Sequence, residues 1–329
     1  MIISTAPLRI SLGGGGTDLR SYYSKFGGFV LSAAINKYVY LLVHNRFDGM
    51  IKASYAKMEI VDSPNKIEHP IIREALKMTG INNSIEIFSM ADIPANSGLG
   101  SSSSYTVALL NGLYAFRKKE LTPEELAEKA CKLEIDILGQ PIGKQDQYIA
   151  AFGSLCSFEF LPDESVKIQR LNISTSTLEE LEKNLCLFYT GIQRTSTDIL
   201  SEQNSQTAKN DPKVLANLHE IKNIGYALRD SILSGDLDFV GRALALNWEK
   251  KRNLSTKISN DRIDKWYDIA ISAGAMGGKL LGAGGGGFLL FYCHQQKQPS
   301  LKKRMRAAGL REVKFSFSRI GAKLFRNFI

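Results

Sequence analysis

Two runs of four consecutive glycines, at 13–16 and 284–287, constrain this chain more than any other feature of its sequence. Four glycines in a row strip every Cβ from a stretch of backbone, which lets it adopt positive φ and approach another segment or a ligand closely. One such run suits a turn between strands. Two of them hold eight of the 28 glycines in 329 residues, which points to backbone shaped for contact. A third segment reinforces this: Pro94-Ala95-Asn96-Ser97-Gly98-Leu99-Gly100-Ser101-Ser102-Ser103-Ser104 leads into helical periodicity over 102–117. A glycine turn feeding a helix N-terminus presents unpaired N–H groups and the positive end of the helix dipole to an anion. One serine serves as a cap, and four exceed what capping needs. No Gly-Lys-Ser/Thr closes the segment, and position 103 is serine. It therefore matches neither the P-loop nor the dinucleotide-binding fingerprint.

Polar residues flank these segments. Arg9 precedes the first glycine run and Thr17-Asp18 follow it, placing one cation and one anion beside open backbone. Thr122-Pro123-Glu124-Glu125 is a helix start with a capping box, and the periodicity runs on to about 138, carrying Glu134 near its end. The segment Gly139-Gln140-Pro141-Ile142-Gly143-Lys144-Gln145-Asp146-Gln147-Tyr148 reads as a polar loop between apolar stretches, either a buried polar pocket or a surface loop.

The rest of the chain bounds the class. At 44% hydrophobic and 23% charged it reads as a globular protein, and no apolar run approaches bilayer length. The start, Met1 to Pro7, lacks the basic and long apolar regions of a signal peptide, so a cytoplasmic protein is expected, with no membrane partner. The four cysteines and four histidines are scattered, so buried thiols are expected and a zinc site is not. The net charge of +9 is concentrated after 296, where ten Lys or Arg face the single acid Glu312. No nucleic-acid motif accompanies them, and anionic small molecules suffice as partners. Those charges read as a solvated face or as a homodimer contact, and both stay open. Strand patterns at 2–12, 29–43 (as paired strands), 85–90, 154–160, 185–189, 288–293 and 313–317 mix with helical patterns at 68–78, 195–209, 212–233, 237–254, 261–273 and 299–308. Strands and helices do not alternate strictly, so the expected class is α+β, in two domains at 1–170 and 171–329.

The three motifs, in this order, resemble the GHMP kinases, the family of galactokinase, homoserine kinase, mevalonate kinase and phosphomevalonate kinase. The resemblance spans residues 7–287. It implies an N-terminal α+β domain and a C-terminal ferredoxin-like domain with the site between them. It implies ATP held by Pro94, Asn96, Ser97, Gly98, Leu99, Gly100, Ser101, Ser102 and Ser103, with Gly284 and Gly285 closing over the nucleotide. Mg²⁺ would fall on Glu134 and on Ser101 or Ser102, and the catalytic base on Asp146 with Arg9 beside it. Gly14, Gly15, Gly16, Thr17 and Asp18 would meet the sugar. Galactokinases carry Glu-His before Thr-Asp, and Gly15-Gly16 here leaves room for a larger or differently oriented sugar. The opening Pro7-Leu8-Arg9-Ile10-Ser11-Leu12 with its glycines and Thr17-Asp18 is most similar to bacterial D-glycero-D-manno-heptose 7-phosphate 1-kinases. That implies phosphorylation of an anomeric hydroxyl in GDP-heptose synthesis. Lys144, Arg194 and Lys279 are cationic candidates for a distal phosphate. The alternatives are another sugar 1-kinase, fucose- or galactose-like, and a non-catalytic sugar- or nucleotide-binding regulator.

Overall fold

The computed structural model describes residues 1–95, 97–192 and 197–326. Asn96 and Arg194, both expected near the site, lie outside the described residues. In the first half, β1 (Ile2–Gly13), α1 (Arg20–Phe26), β2 (Gly28–Asn45), β3 (Ile51–Ser54), β4 (Met58–Val61), α2 (Pro70–Thr79), β5 (Ile85–Ala91), α3 (Ser101–Phe116), α4 (Pro123–Cys131), α5 (Gln145–Phe152), β6 (Leu155–Phe160) and β7 (Val166–Arg170) follow in order. The second half holds α6 (Thr175–Asn184), β8 (Leu185–Tyr189), α7 (Thr197–Ala208), α8 (Pro212–Ser234), α9 (Asp238–Arg252), α10 (Asp261–Ser272), β9 (Gly277–Leu280), β10 (Phe288–Tyr292), α11 (Gln298–Ala307), β11 (Arg311–Glu312) and β12 (Lys323–Arg326).

Residues 29–43, expected as paired strands, form one strand instead. β2 has 18 residues and no glycine or proline after Gly28 to turn it. Its first part pairs with β6 and its second with β5, while β1 pairs along both through an irregularity at Pro7/Leu8. The large sheet runs β12-β1-β2-β5-β3-β4, with β6 and β7 joined through β2. Leu41, Val43, Ile85 and Ile87 on one face bury against helical residues such as Leu109, Leu113 and Ala127.

The second sheet runs β11-β8-β10-β9, all antiparallel. Numbered along the chain, its strands lie in the order 4-1-3-2, with helices between the first and second and between the third and fourth. This is the ferredoxin-like arrangement. The strand expected at 313–317 is displaced: β11 ends at Glu312, and the chain then crosses back to the first sheet. Phe317 bridges Ile35, and β12 pairs with β1, Ile2 opposite Arg326. The end of the chain thus departs from a division at 170/171, and the four-residue Lys-Leu-Phe-Arg strand carries no pattern long enough to read in advance.

The two sheets share a core. Leu8, Ile10, Leu12 and Phe29 bury against Leu228 and Ile232 of α8, Leu244 of α9 and Leu290 of β10. Each such side chain contributes roughly 1.5–3 kcal/mol by burial. Hinging the halves apart would expose several of them, so the cleft between the sheets is preformed. All four cysteines are buried free thiols. Among the described residues no helix is long and apolar enough to cross a membrane.

Candidate active site

A cavity of about 460 Å³ opens where β1, the N-terminus of α3, α5, α7, α9 and the second glycine run converge. Its centre is an ion pair. Arg9, on β1 and 4% exposed, donates through Nε to Asp146 Oδ1 at 2.7 Å and through Nη2 to Oδ2 at 2.9 Å. Its third donor, Nη1, reaches the Gly98 carbonyl at 2.8 Å. The bidentate fork fixes the carboxylate plane, which an ammonium would not do. Asp146 does not sit in a loop as expected but in the first turn of α5. Its side chain keeps 22% exposure, towards the cavity it lines. A Cβ at Gly100 would stand 3.2 Å from Asp146 Oδ2, so glycine there keeps the carboxylate reachable.

Gly98 (φ +83°) and Gly100 (φ +76°) take the left-handed turn that aims α3 at the cavity. No side chain caps that helix. Its serines are used otherwise. Ser104 Oγ donates to the Pro7 carbonyl, tying α3 to β1, and Ser102 Oγ donates to Glu134 Oε1 at 3.0 Å. Gly98, Gly100, Ser101, Ser102 and Ser103 line the cavity, whereas Pro94, Ser97 and Leu99 do not. The second glycine run packs on this turn: a Cβ at Gly98 would meet the Leu281 carbonyl at 2.8 Å. Gly284 lines the cavity, while the Gly285 N–H is taken by the Ile258 carbonyl at 2.8 Å.

Glu134 was open to reading as a surface acid and is instead fully buried. The helix from Pro123 changes to a π turn at Lys132–Ile137, which carries Glu134 inward. Such turns recur at functional sites. Its second oxygen accepts from Gln147 Nε2 at 2.7 Å, and no cation pairs with it among the described residues. Burial raises its pKa above the usual carboxylate range, against hydrogen bonds from Ser103, Gln147, Ser102 and Thr106. A buried carboxylate with no counter-charge, next to a hydroxyl that lines the cavity, fits a hard divalent cation. Glu134→Gln is expected to raise the melting temperature of the ligand-free protein, because an unpaired buried charge is removed. The same variant should raise the Mg²⁺ concentration for half-maximal activity by about tenfold or more. Thermal melts and a Mg²⁺ titration check this, and unchanged values in both would exclude Glu134 from metal binding.

The acceptor side centres on Asp18, which is 2% exposed. Its carboxylate accepts from Gly16 N at 2.9 Å and Gln145 N at 3.2 Å. Burial raises its pKa, backbone donation from Gln145 opposes this, and the charge of Asp146 adds to the rise. Gly143, not singled out from sequence, packs so tightly that a Cβ would overlap Asp18 Oδ2. Gly15, Gly16 and Asp18 line the cavity. Gly14 and Thr17 do not. The Thr17 hydroxyl lies 2.8 Å from the carbonyls of both Gly14 and Phe29 and accepts from Phe29 N, so it braces the turn rather than meeting a sugar. Lys144 also departs from expectation. Its Nζ is bound to the carbonyl and carboxylate of Glu164, each at 3.0 Å, and lies 5.3 Å from the Tyr23 ring centroid, away from the cavity.

Lys279 does line the cavity, and so does Lys251, which sequence reasoning missed. Lys251 sits in the run Glu249-Lys250-Lys251-Arg252, which reads as the solvated end of a helix. Its Nζ rests on the carbonyls of Leu280 and Gly282. Among the described residues Lys279 Nζ reaches only the Leu12 carbonyl, at 3.4 Å. Neither meets a carboxylate among the described residues. Burial, with the charge of Arg9 added, pulls the Lys251 pKa down to about 7. Burial, Lys251 and Arg9, in that order, hold Lys279 well below its usual value. Two buried lysines without carboxylate partners among the described residues, in a cavity with an uncapped helix N-terminus, suit a multiply charged anion.

A positioned carboxylate, a glycine-built phosphate turn and unpaired cations between an α+β half and a ferredoxin-like half define a small-molecule kinase. The GHMP kinases N terminal domain matches residues 65–154 and the GHMP kinases C terminal domain matches 228–310. The D-glycero-alpha-D-manno-heptose 7-phosphate kinase of Campylobacter jejuni is 31% identical, covering 99% of both chains. A solved D-glycero-D-manno-heptose 1-phosphate kinase from Bacteroides thetaiotaomicron superposes with TM-score 0.82 at 27% identity, covering 100% of both chains. The L-fucokinase/L-fucose-1-P guanylyltransferase of Bacteroides fragilis is 28% identical over 92% of this chain and 35% of its own. The chain belongs to the GHMP kinase family, and the relatives named above are sugar kinases.

Proposed function

We propose that the protein transfers the γ-phosphoryl group of ATP to the anomeric hydroxyl of a phosphorylated sugar, D-glycero-α-D-manno-heptose 7-phosphate. The product would be the 1,7-bisphosphate, a precursor for GDP-heptose. The observation that carries this reading is the pair of buried lysines without carboxylate partners in the cavity of Asp146. A kinase of neutral sugars needs charge only for ATP. The position of each lysine suggests a division of labour. Lys279 contacts Leu12, just before the glycines of the acceptor side, and suits the sugar's own phosphate. Lys251 reaches the Gly282 carbonyl, just before the second glycine run, and suits the phosphates of ATP.

In the reaction, Asp146 accepts the proton of the anomeric hydroxyl as that oxygen bonds to the γ-phosphorus. The bond from phosphorus to the bridging oxygen breaks, and ADP leaves. An anomeric hydroxyl is more acidic than an ordinary alcohol, so a carboxylate within hydrogen-bond reach suffices as base. Arg9 keeps that carboxylate in one orientation. The N–H groups at the start of α3 bind the phosphoryl oxygens as charge shifts towards ADP. Mg²⁺, held by Glu134 and Ser102, would neutralise phosphate charge.

ADP release with Mg²⁺-ATP against the heptose 7-phosphate, mannose 6-phosphate, galactose, fucose, homoserine and mevalonate tests the reading. Turnover is expected with the heptose phosphate, with the new phosphate at C1. Turnover with galactose or fucose alone would make this a neutral-sugar kinase. No turnover with any of them, despite binding, would favour a regulator, against which the intact Asp146 and Glu134 stand.

A further inference from the structure

The double glycine at 15–16 was expected to leave an open space where galactokinases place two side chains. The structure fills that space from elsewhere. A Cβ at Gly16 would lie 2.8 Å from Gln203 Nε2, and one at Gly15 would lie 3.3 Å from Ser11 Oγ and 3.5 Å from Gln145 Nε2. Ser11 comes from β1 and Gln203 from α7, in the other half of the chain. Both line the cavity and are nearly buried, at 5% and 4% exposure. Among the described residues, Ser11 Oγ and Gln203 Nε2 also have no hydrogen-bond partner. The large majority of buried polar groups in folded proteins have a partner, so an unpaired one in a cavity wall is available to a ligand. The neighbouring residue, Asn204, holds Gln203 in place. Its Oδ1 accepts from Ser21 Oγ at 2.7 Å and its Nδ2 donates to the Pro141 carbonyl at 3.3 Å. Those two bonds pin α7 to the first half of the chain at the residue beside the orphan amide.

We infer that Gln203 and Ser11 form a hydroxyl-reading wall that selects the sugar, with the Gln203 amide donating to one acceptor hydroxyl and Ser11 bonding a second. This rests on the phosphosugar reading above. It moves the choice of sugar from the glycine motif to a helix of the second half. The amide of Gln203 occupies the volume a residue-16 side chain would fill, so each arrangement excludes the other.

The test combines isothermal titration and steady-state kinetics with the heptose 7-phosphate and its single-deoxy analogues, on the wild type, Gln203→Leu and Ser11→Ala. Gln203→Leu is expected to weaken acceptor binding and raise its KM by roughly 10- to 100-fold, leaving the KM for ATP unchanged. One deoxy analogue should bind the wild type as weakly as the parent sugar binds Gln203→Leu, with no further loss when the two changes are combined. Ser11→Ala should show the same pattern with a different analogue. If Gln203→Leu does not fold, the near-isosteric Gln203→Glu removes the donor and carries the same comparison. Equal losses on every analogue, or none on any, would overturn the inference while leaving the kinase reading intact. Absence of acceptor binding to the wild type, with ATP still bound, would overturn both.

Discussion

Asp146→Asn is expected to lower kcat by about 10²- to 10⁴-fold, the usual worth of a positioned general base. The substitution keeps the shape of the side chain. It replaces one carboxylate oxygen by an NH₂ that faces the Arg9 guanidinium, donor against donor, where the wild type makes bonds of 2.7 and 2.9 Å. It also removes the carboxylate proposed to take the acceptor's proton. Substrate binding depends on other residues, so KM for ATP should change little. Single-turnover kinetics separate the two effects. A kcat within about threefold of wild type would remove Asp146 from the role and leave orientation alone to explain catalysis.

Lys279→Met should produce opposite effects on stability and function. For a phosphorylated acceptor, kcat/KM should fall by about 10²- to 10³-fold, the range for truncating one partner of a buried charge pair. For the corresponding free sugar it should change little. The ligand-free protein should melt higher, because Met fills similar volume without a buried cation. The pH dependence follows from the lowered pKa. Below the folded pKa, Lys279 is charged in both states, and its burial penalises the fold in full. As pH rises from there towards the unfolded value near 10.5, the unfolded chain holds the extra proton and the penalty fades. Wild-type stability should therefore approach that of Lys279→Met as the solution becomes alkaline. Equal loss of activity on free and phosphorylated sugars would sink the assignment to the acceptor's phosphate.

The two lysines show where sequence reasoning stops. Lys144, Arg194 and Lys279 looked equivalent as cations near the motifs. Lys144 proves to be bound to Glu164, Lys279 lines the cavity, and Arg194 lies outside the described residues. Lys251 had no distinguishing neighbours at all. Thr17 belonged to the right motif, yet its hydroxyl is consumed by backbone, a fact decided by where Phe29 lies. The π turn was equally hidden, since nothing in Lys-Leu-Glu-Ile-Asp-Ile separates a π turn from a continuing α-helix.

The sequence by itself determined the parts whose conformation is local. A glycine turn entering a helix must expose N–H groups, whatever surrounds it, and the Thr122 capping box starts a helix from four residues. Arg9, Asp18, Asp146 and Glu134 stood beside such segments, so they could be singled out together with the family they resemble. Only the tertiary structure decided which side chains converge. Arg9 and Asp146 are 137 residues apart, and Lys279 and Leu12 are 267 apart. Gln203 and Ser11 line one cavity only because α7 docks beside the first glycine run. Each lies on an ordinary helix or strand, where local pattern reports the buried face but not what that face will meet. The meeting is set by packing two sheets on one shared core, and no short stretch of sequence encodes that.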